Sequence, residues 1–291
     1  MKCRPGFFGT KKLPQVDISK ERLEELARAS IGAGLTVPGV QKKLSLHLSV
    51  KEPSRLTLVG YPAGYILKPQ TEDFSQLPEA EDLVMDIADM MGVTTVPHGL
   101  LDTEAGYAYI SKRVDRINGD MYAMEDFCQL TGRLTQDKYR GSYEKCGEII
   151  RRYSSRFGYD LTEFFLRLVV CFVTGNSDMH LKNFSLIETE PGNRTYALSP
   201  AYDLLPVNIV MPEDNEETAL TLNGKKSNIR RKDFTALADN IGLDLKAADR
   251  LIKSVISKKE RAQKMCRESM LNAEMKRYLT ELIEMRCERL K

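Results

Sequence analysis

The stretch from Thr162 to Thr174, Thr-Glu-Phe-Phe-Leu-Arg-Leu-Val-Val-Cys-Phe-Val-Thr, constrains this chain more than any other. At helical spacing it is apolar on nearly every side, so it has no face to turn to water and belongs in the middle of a packed unit. Like every other apolar run in the chain, it falls short of the roughly 18–20 residues that span a bilayer. Gly175-Asn176 ends the helix. The chain then presents a polar loop, Ser177-Asp178-Met-His180-Leu-Lys182-Asn183, which runs into a short strand ending near Ile187. A second strand, Thr195 to Leu198, leads to Pro200-Ala-Tyr202-Asp203-Leu.

Toward the N-terminus the period changes. A helical stretch capped by Ser19 is stopped at Gly32, where a glycine-spaced loop begins: Gly32-Ala-Gly34-Leu-Thr36-Val37-Pro38-Gly39-Val40-Gln-Lys-Lys43. It leads into the alternating strand Leu44 to Leu48, and further strands are predicted at 56–59 and 65–69. From Leu77 the spacing is helical, with Leu83, Val84, Ile87, Met90 and Met91 on one face and Gly92 as the stop. Two more short strands are expected around 93–101 and 108–111, and helices dominate from Asp115 onward. The expected architecture is α+β in two parts. Residues 1–115 form a small sheet with one helix inserted after its second or third strand, and residues 116–291 form a larger helical part.

The residues that could carry chemistry follow this order. Asp178 and Asn183 have four residues between them, the spacing of a protein-kinase catalytic loop. Such a loop sets a carboxylate to accept a hydrogen bond from an attacking hydroxyl and an amide oxygen to hold a metal that bridges phosphates. Asp203 follows downstream, where such enzymes keep their main magnesium ligand, although Leu-Leu replaces the usual Phe-Gly after it. Lys68, at the end of Tyr-Ile-Leu-Lys, supplies a cation for phosphates, and Glu81, one turn into the next helix, supplies a carboxylate to steady it. The Gly32 to Gly39 loop offers backbone N–H groups that can approach phosphate closely. Taken singly, each has a plain reading: a solvated strand end, a first-turn acid beside the helix dipole, a loop that merely turns. Their linear order is that of a two-lobed kinase, and chance would rarely assemble it.

Composition narrows the alternatives. Lys plus Arg number 43 and Asp plus Glu 41, a net +2, so the basic excess of a dedicated nucleic-acid binder is absent. Six cysteines without a C-x-x-C pair, and three histidines, suggest neither a zinc site nor a disulfide framework. Reduced thiols and an N-terminus without a signal-like apolar region are read as a cytoplasmic protein. The basic cluster Lys225-Lys226 with Arg230-Arg231-Lys232 is read as a solvated loop near a helix start.

The motifs Val37-Pro-Gly-Val-Gln-Lys-Lys43, Ile66-Leu-Lys68-Pro69, Leu77-Pro-Glu-Ala-Glu81, Lys112-Arg113-Val114-Asp115-Arg116, Asn176 to Ser185 and Pro200-Ala-Tyr202-Asp203-Leu resemble the HipA-like serine/threonine kinases, toxins of bacterial toxin–antitoxin pairs. The resemblance covers nearly the whole chain, and its most specific block is Asp178 to Ser185. It implies a two-lobed kinase fold with ATP and Mg2+ as cofactors. Asp178 is then the catalytic base, Asn183 and Asp203 the magnesium ligands, and Lys68 the phosphate lysine supported by Glu81. Thr36, Val37, Gly39 and Val40 belong to the phosphate loop, Lys112, Arg113 and Val114 to the hinge that reads adenine, and His180, Lys182 and Tyr202 to the nucleotide's surroundings. Lys112 and Val114 stand where the family usually has Glu and Phe, and Thr36 stands at a loop position that members autophosphorylate on serine. Ser177 stands where activation-loop-regulated kinases carry an arginine, so control is expected by another route.

The resemblance also implies partners: a protein substrate such as an aminoacyl-tRNA synthetase, a cognate antitoxin, and a separate small protein replacing an N-terminal subdomain of the larger members. No membrane role is expected, and nucleic acid only indirectly through the antitoxin. The competing readings are a small-molecule kinase and an inactive kinase-fold subunit of an antitoxin repressor complex.

Overall fold

The computed structural model describes residues 5–10, 14–16, 43–49, 54–59, 63–104, 106–117 and 119–291. The helical stretch after Ser19 and the glycine loop, with Thr36, Val37, Gly39 and Val40, lie outside the described residues. The chain divides into two compact units: 1–82 with 96–120, and 83–95 with 121–291.

The first unit opens with the single turn α1 (Pro5–Phe8) and is built on a six-stranded sheet of order β1-β3-β2-β4-β6-β5. Its strands are β1 (Gln15–Val16), β2 (Leu44–Ser49), β3 (Arg55–Val59), β4 (Tyr65–Pro69), β5 (His98–Thr103) and β6 (Gly106–Lys112). All neighbours pair antiparallel except β1 with β3. Alternation places Leu44, Leu46, Leu56, Tyr65, Leu67, Ala108 and Ile110 in one buried cluster, with Phe7 and Phe8 packed against it. Each fully buried leucine here contributes about 1.5–3 kcal/mol. Lys68, next to Leu67, therefore points to the opposite face of the sheet, beside its register partner Tyr109. The helix α2 (Leu77–Met91) follows β4, after the three long strands β2 to β4, and Gly92 stops it at φ +104°. The strand expected from 93 begins instead at His98. Residues 93–97 carry only an isolated bridge, Thr95 to Ala201 within the second unit. Short strands also interrupt the stretch expected to be helical: β7 (Arg116–Ile117), β8 (Asp120–Met121) and β9 (Met124–Asp126).

The second unit is organised round its most apolar helix. After α3 (Phe127–Leu130) and α4 (Tyr143–Tyr153), the helix α5 runs Phe157–Thr174, starting five residues earlier than its apolar stretch. Every residue from Leu161 to Thr174 except Thr162 is buried. Phe164 meets Phe184 on one side, while Phe165 and Phe172 meet Phe234 on another. Gly175 ends α5 in a left-handed conformation, and a Cβ there would lie 2.5 Å from Leu282. The loop that follows leads into a three-stranded sheet of order β11-β10-β9, with β10 (Ser185–Glu188) and β11 (Tyr196–Leu198). The remainder is helical: α6 (Val207–Val210), α7 (Arg231–Asn240), α8 (Leu245–Ser257), α9 (Lys259–Glu268) and α10 (Ala273–Arg289). Three of the five basic residues near α7 are paired within the chain, Lys225 with Asp233, Lys226 with Glu216 and Arg231 with Asp249.

Candidate active site

In the first unit, Lys68 on β4 and Glu81 on α2 meet as an ion pair, Nζ to Oε1 2.5 Å, with relative exposures of 4% and 0%. The pairing follows from two periods. Strand alternation turns Lys68 away from the leucine cluster, and Glu81 lies one turn into a helix that starts eight residues after β4 ends. The ammonium also sits over the Tyr109 ring, 5.2 Å from its centroid, where the ring's negative face favours a cation. A buried ion pair seldom adds net stability, so its presence points to a use. Of the three expected hinge residues, Lys112 donates its backbone N–H to Pro97 O at 2.8 Å and Arg113 donates its own to Gly64 O at 2.9 Å. The Arg113 guanidinium is bidentate on Asp115, at 2.9 and 2.6 Å, and Arg116 reaches the same carboxylate at 2.6 Å. These bonds fix the turn after β6 around Val114.

In the second unit, the loop after α5 is tied down at nearly every residue. Asn176 Oδ1 accepts from Asp178 N at 3.1 Å, and Asp178 O accepts from His180 N at 2.8 Å and from Asn183 Nδ2 at 2.9 Å. The last bond determines the orientation of the Asn183 amide: its nitrogen is used inside the loop, so its oxygen is the atom turned away from that bond. Asp178 itself is left accessible, with 44% of its side chain exposed. Its Oδ1 accepts a 2.7 Å hydrogen bond from the Tyr139 hydroxyl, and its Oδ2 lies 4.0 Å from His180 Nε2. Burial lowers His180 to about 4, against the opposing pull of Asp178, so its ring is neutral near pH 7 and the contact with Asp178 is no ion pair. Its buried Nδ1 has no hydrogen-bond partner among the described residues.

Lys182 pairs with Asp126 at 2.6 Å, so its charge is already met inside this unit. The Tyr202 hydroxyl lies 2.5 Å from that of Ser185 and donates to Lys182 O at 3.2 Å, stitching the segment before Asp203 to the loop. Asp203 is half-buried and holds φ +57°, a left-handed conformation uncommon for a residue with a side chain. The turn before it is clamped by a ring of polar contacts. Ala201 N donates to Thr94 O at 2.7 Å, and Thr94 N donates to Glu163 Oε1 at 2.8 Å. Glu163 lies 3.7 Å from Arg167, whose Nη2 donates to Ser199 O at 2.8 Å.

Asp178, His180 and Asn183 thus come together in one loop, and Lys68 meets Glu81. Tyr139, Asn176, Asp126 and Arg167 are parts of these arrangements that the sequence reading missed. No short motif marks Tyr139, Asp126 or Arg167, because their partners lie far away in the chain, and Asn176, although it opens the Asn176 to Ser185 block, was read only as ending the helix. Oxygen donors from Asn183 and Asp203 are the chemistry a magnesium ion takes, one or two side chains with the remaining places filled by phosphate and water. Among the described residues no cluster of three His, Cys, Asp or Glu forms an all-protein metal cage. No helix among them is long and apolar enough to cross a membrane. The described cysteines 128, 146, 171, 266 and 287 are free and buried.

Comparison with known proteins adds three findings. Residues 35–263 match the family described as HipA-like C-terminal domain. Among curated proteins, a putative kinase, Y4dM, of Sinorhizobium fredii is 36% identical over 206 residues, covering 66% of this chain and 49% of that protein. A putative kinase of Haemophilus influenzae is 26% identical over 269 residues, covering 82% and 76%. The chain therefore spans about half the length of the first of these relatives. Among solved structures, HipA of the Shewanella oneidensis toxin–antitoxin system, in complex with HipB and operator DNA, superposes with a TM-score of 0.72 at 20% identity, covering 88% of this chain and 65% of that one. The Helicobacter pylori proinflammatory kinase CtkA superposes with a TM-score of 0.59 at 14% identity, covering 81% and 90%. The fold is kinase-like.

Proposed function

The chain belongs to the HipA-like C-terminal domain family, and on that premise we propose that it is a kinase, transferring the γ-phosphoryl group of ATP to a serine or threonine hydroxyl of a protein. The observation that carries this reading is the buried Lys68–Glu81 pair. An ammonium held at the end of a strand by a helix carboxylate is the device by which kinases present a fixed cation to phosphate. Packing alone would have been served better by an apolar pair.

The roles of the remaining residues follow from their chemistry. Asp178, accessible and anchored through both its backbone groups, accepts the proton of the attacking hydroxyl. Asn183 Oδ1 and the Asp203 carboxylate would hold magnesium, which would supply positive charge to offset that of the phosphates. His180, neutral and with Nδ1 unclaimed, can donate or accept a hydrogen bond toward the nucleotide without adding charge. Lys182, engaged by Asp126, acts in this reading by shaping the loop around the nucleotide. Adenine recognition falls mainly to Val114 among the hinge residues, since the N–H groups of Lys112 and Arg113 are already bonded. The Thr36 to Val40 loop supplies backbone donors to the phosphates, with Thr36 as a site of self-phosphorylation. The HipB partner of the Shewanella neighbour supports a DNA-binding antitoxin as the binding partner here.

The test is transfer of label from γ-labelled ATP, with magnesium, to proteins of a cell lysate and to the chain itself. Label on serine or threonine supports the reading. Label found only on small molecules would overturn it.

A further inference from the structure

The Tyr139 hydroxyl donates a 2.7 Å hydrogen bond to Oδ1 of Asp178, and nothing in the expected catalytic set accounts for it. Tyr139 is 44% exposed, so the contact is not one that burial forces on it. Its backbone is fixed on both sides. Lys138 N donates to Thr135 O at 3.2 Å, Arg140 N donates to Asp137 O at 2.9 Å, and Leu181 N donates to Lys138 O at 3.1 Å. The last of these ties the tyrosine's loop directly to the loop of Asp178. The ring stands edge-on to His180, with centroids 5.1 Å apart and planes at 77°. An exposed tyrosine held this firmly against one carboxylate oxygen orients that carboxylate.

The hydrogen-bond inventory of Asp178 then divides its two oxygens. Oδ1 is taken by Tyr139, while Oδ2 faces a neutral His180 Nε2 at 4.0 Å, beyond hydrogen-bond range. Partial burial, with the hydrogen bond to Asp178, raises the Tyr139 hydroxyl well above its ordinary value, so it remains a donor across the physiological range. We propose that Tyr139 is a positioning residue of this site: by holding Oδ1 it presents Oδ2 of Asp178 as the oxygen that takes the acceptor's proton. This rests on the kinase reading above. In the step itself the acceptor oxygen bonds to the γ-phosphorus, the bond to the bridging β–γ oxygen breaks, ADP leaves with that electron pair, and the acceptor's proton passes to Oδ2.

Two variants separate the hydroxyl from the ring. Tyr139→Phe keeps the edge contact with His180 and removes only the donor. It is expected to fold as the wild type does and to lower kcat about tenfold, the cost of one charge-assisted hydrogen bond, with KM for ATP unchanged. Tyr139→Leu removes both. A Phe variant with wild-type or raised kcat overturns the proposal, as does one that is wild-type while the Leu variant is impaired, since the ring alone would then matter. Crystal structures give a readout that needs no turnover: one Asp178 rotamer in the wild type and more than one in Tyr139→Phe. The same single rotamer in both would overturn the proposal. An Asp178→Asn protein as active as the wild type would instead remove the kinase reading, and the rotamer comparison would still decide whether Tyr139 positions the carboxylate.

Discussion

Arg167, wholly buried in the middle of α5, donates from Nη2 to the carbonyl oxygen of Ser199 across 2.8 Å. Through it the most apolar helix of the chain holds the turn that delivers Asp203. Burial lowers the Arg167 pKa from its ordinary value, with Glu163 opposing that effect.

Arg167→Met is expected to destabilise the protein by about 3–5 kcal/mol, because Glu163 is left buried without its counter-charge. The double variant Glu163→Gln with Arg167→Met is expected to recover part of that loss. Urea midpoints of the three proteins check it, and a single variant as stable as the wild type would show that the ring of contacts carries no energy.

The Lys68–Glu81 pair calls for a similar design with a different readout. Lys68→Met is expected to weaken ATP binding about tenfold or more, since a fixed cation for phosphate is lost. Adding Glu81→Gln is expected to restore stability but not binding, as titration with a fluorescent ATP analogue would reveal. Recovery of binding in the double variant would assign the pair to folding alone.

Ser177 donates to Asp214 at 2.7 Å, at the place where phosphorylation-controlled kinases keep an arginine. Between Leu204 and Thr218 the one hydroxyl side chain is that of Thr218, which is buried. Thr218→Val is therefore expected to leave activity within about twofold, while Ser177→Ala, which removes the donor to Asp214 Oδ2, is expected to lower it several-fold. Inactivity of a folded Thr218→Val protein, restored by Thr218→Glu, would point to phosphorylation control instead.

Burial pushes the thiols of Cys171 and Cys266 up to about 12 and that of Cys287 up to about 11. At pH 8 roughly one in a thousand or fewer of these is thiolate, the reactive form. Because the folded values lie above the unfolded one, the thiols' contribution to stability is complete below about pH 8.5 and fades as pH rises toward 11–12. A Cys3→Ala protein is expected to react with a thiol reagent at pH 8 far more slowly when native than in urea. Equal rates would contradict the packing around α5 and α10.

The elements with strong periods were legible in the sequence. The alternation of Leu44 to Leu48 and the all-round apolar α5 left few other choices, and the structure brings Lys68 to Glu81 and Asn183 to the Asp178 backbone, residues singled out from their order along the chain. The short strands between 116 and 126 were not legible, because two or three residues carry no period. Tyr139 and Arg167 were missed for another reason: their partners lie 39 and 32 residues away, and nothing near either residue signals the contact. The extended run 93–97 looked like a strand because its residues suit one, yet Thr94 and Thr95 pair with the turn before Asp203 and only Pro97, at its end, accepts a bond from the sheet.

The central claim is that Asp178 is the base of a phosphoryl transfer. The most direct test is incubation of wild-type and Asp178→Asn proteins with γ-labelled ATP and magnesium, followed by measurement of phosphate on the chain and on lysate proteins. Loss of about 100-fold or more in the variant, with ATP binding retained, is the predicted result. Equal incorporation by the two proteins would contradict it.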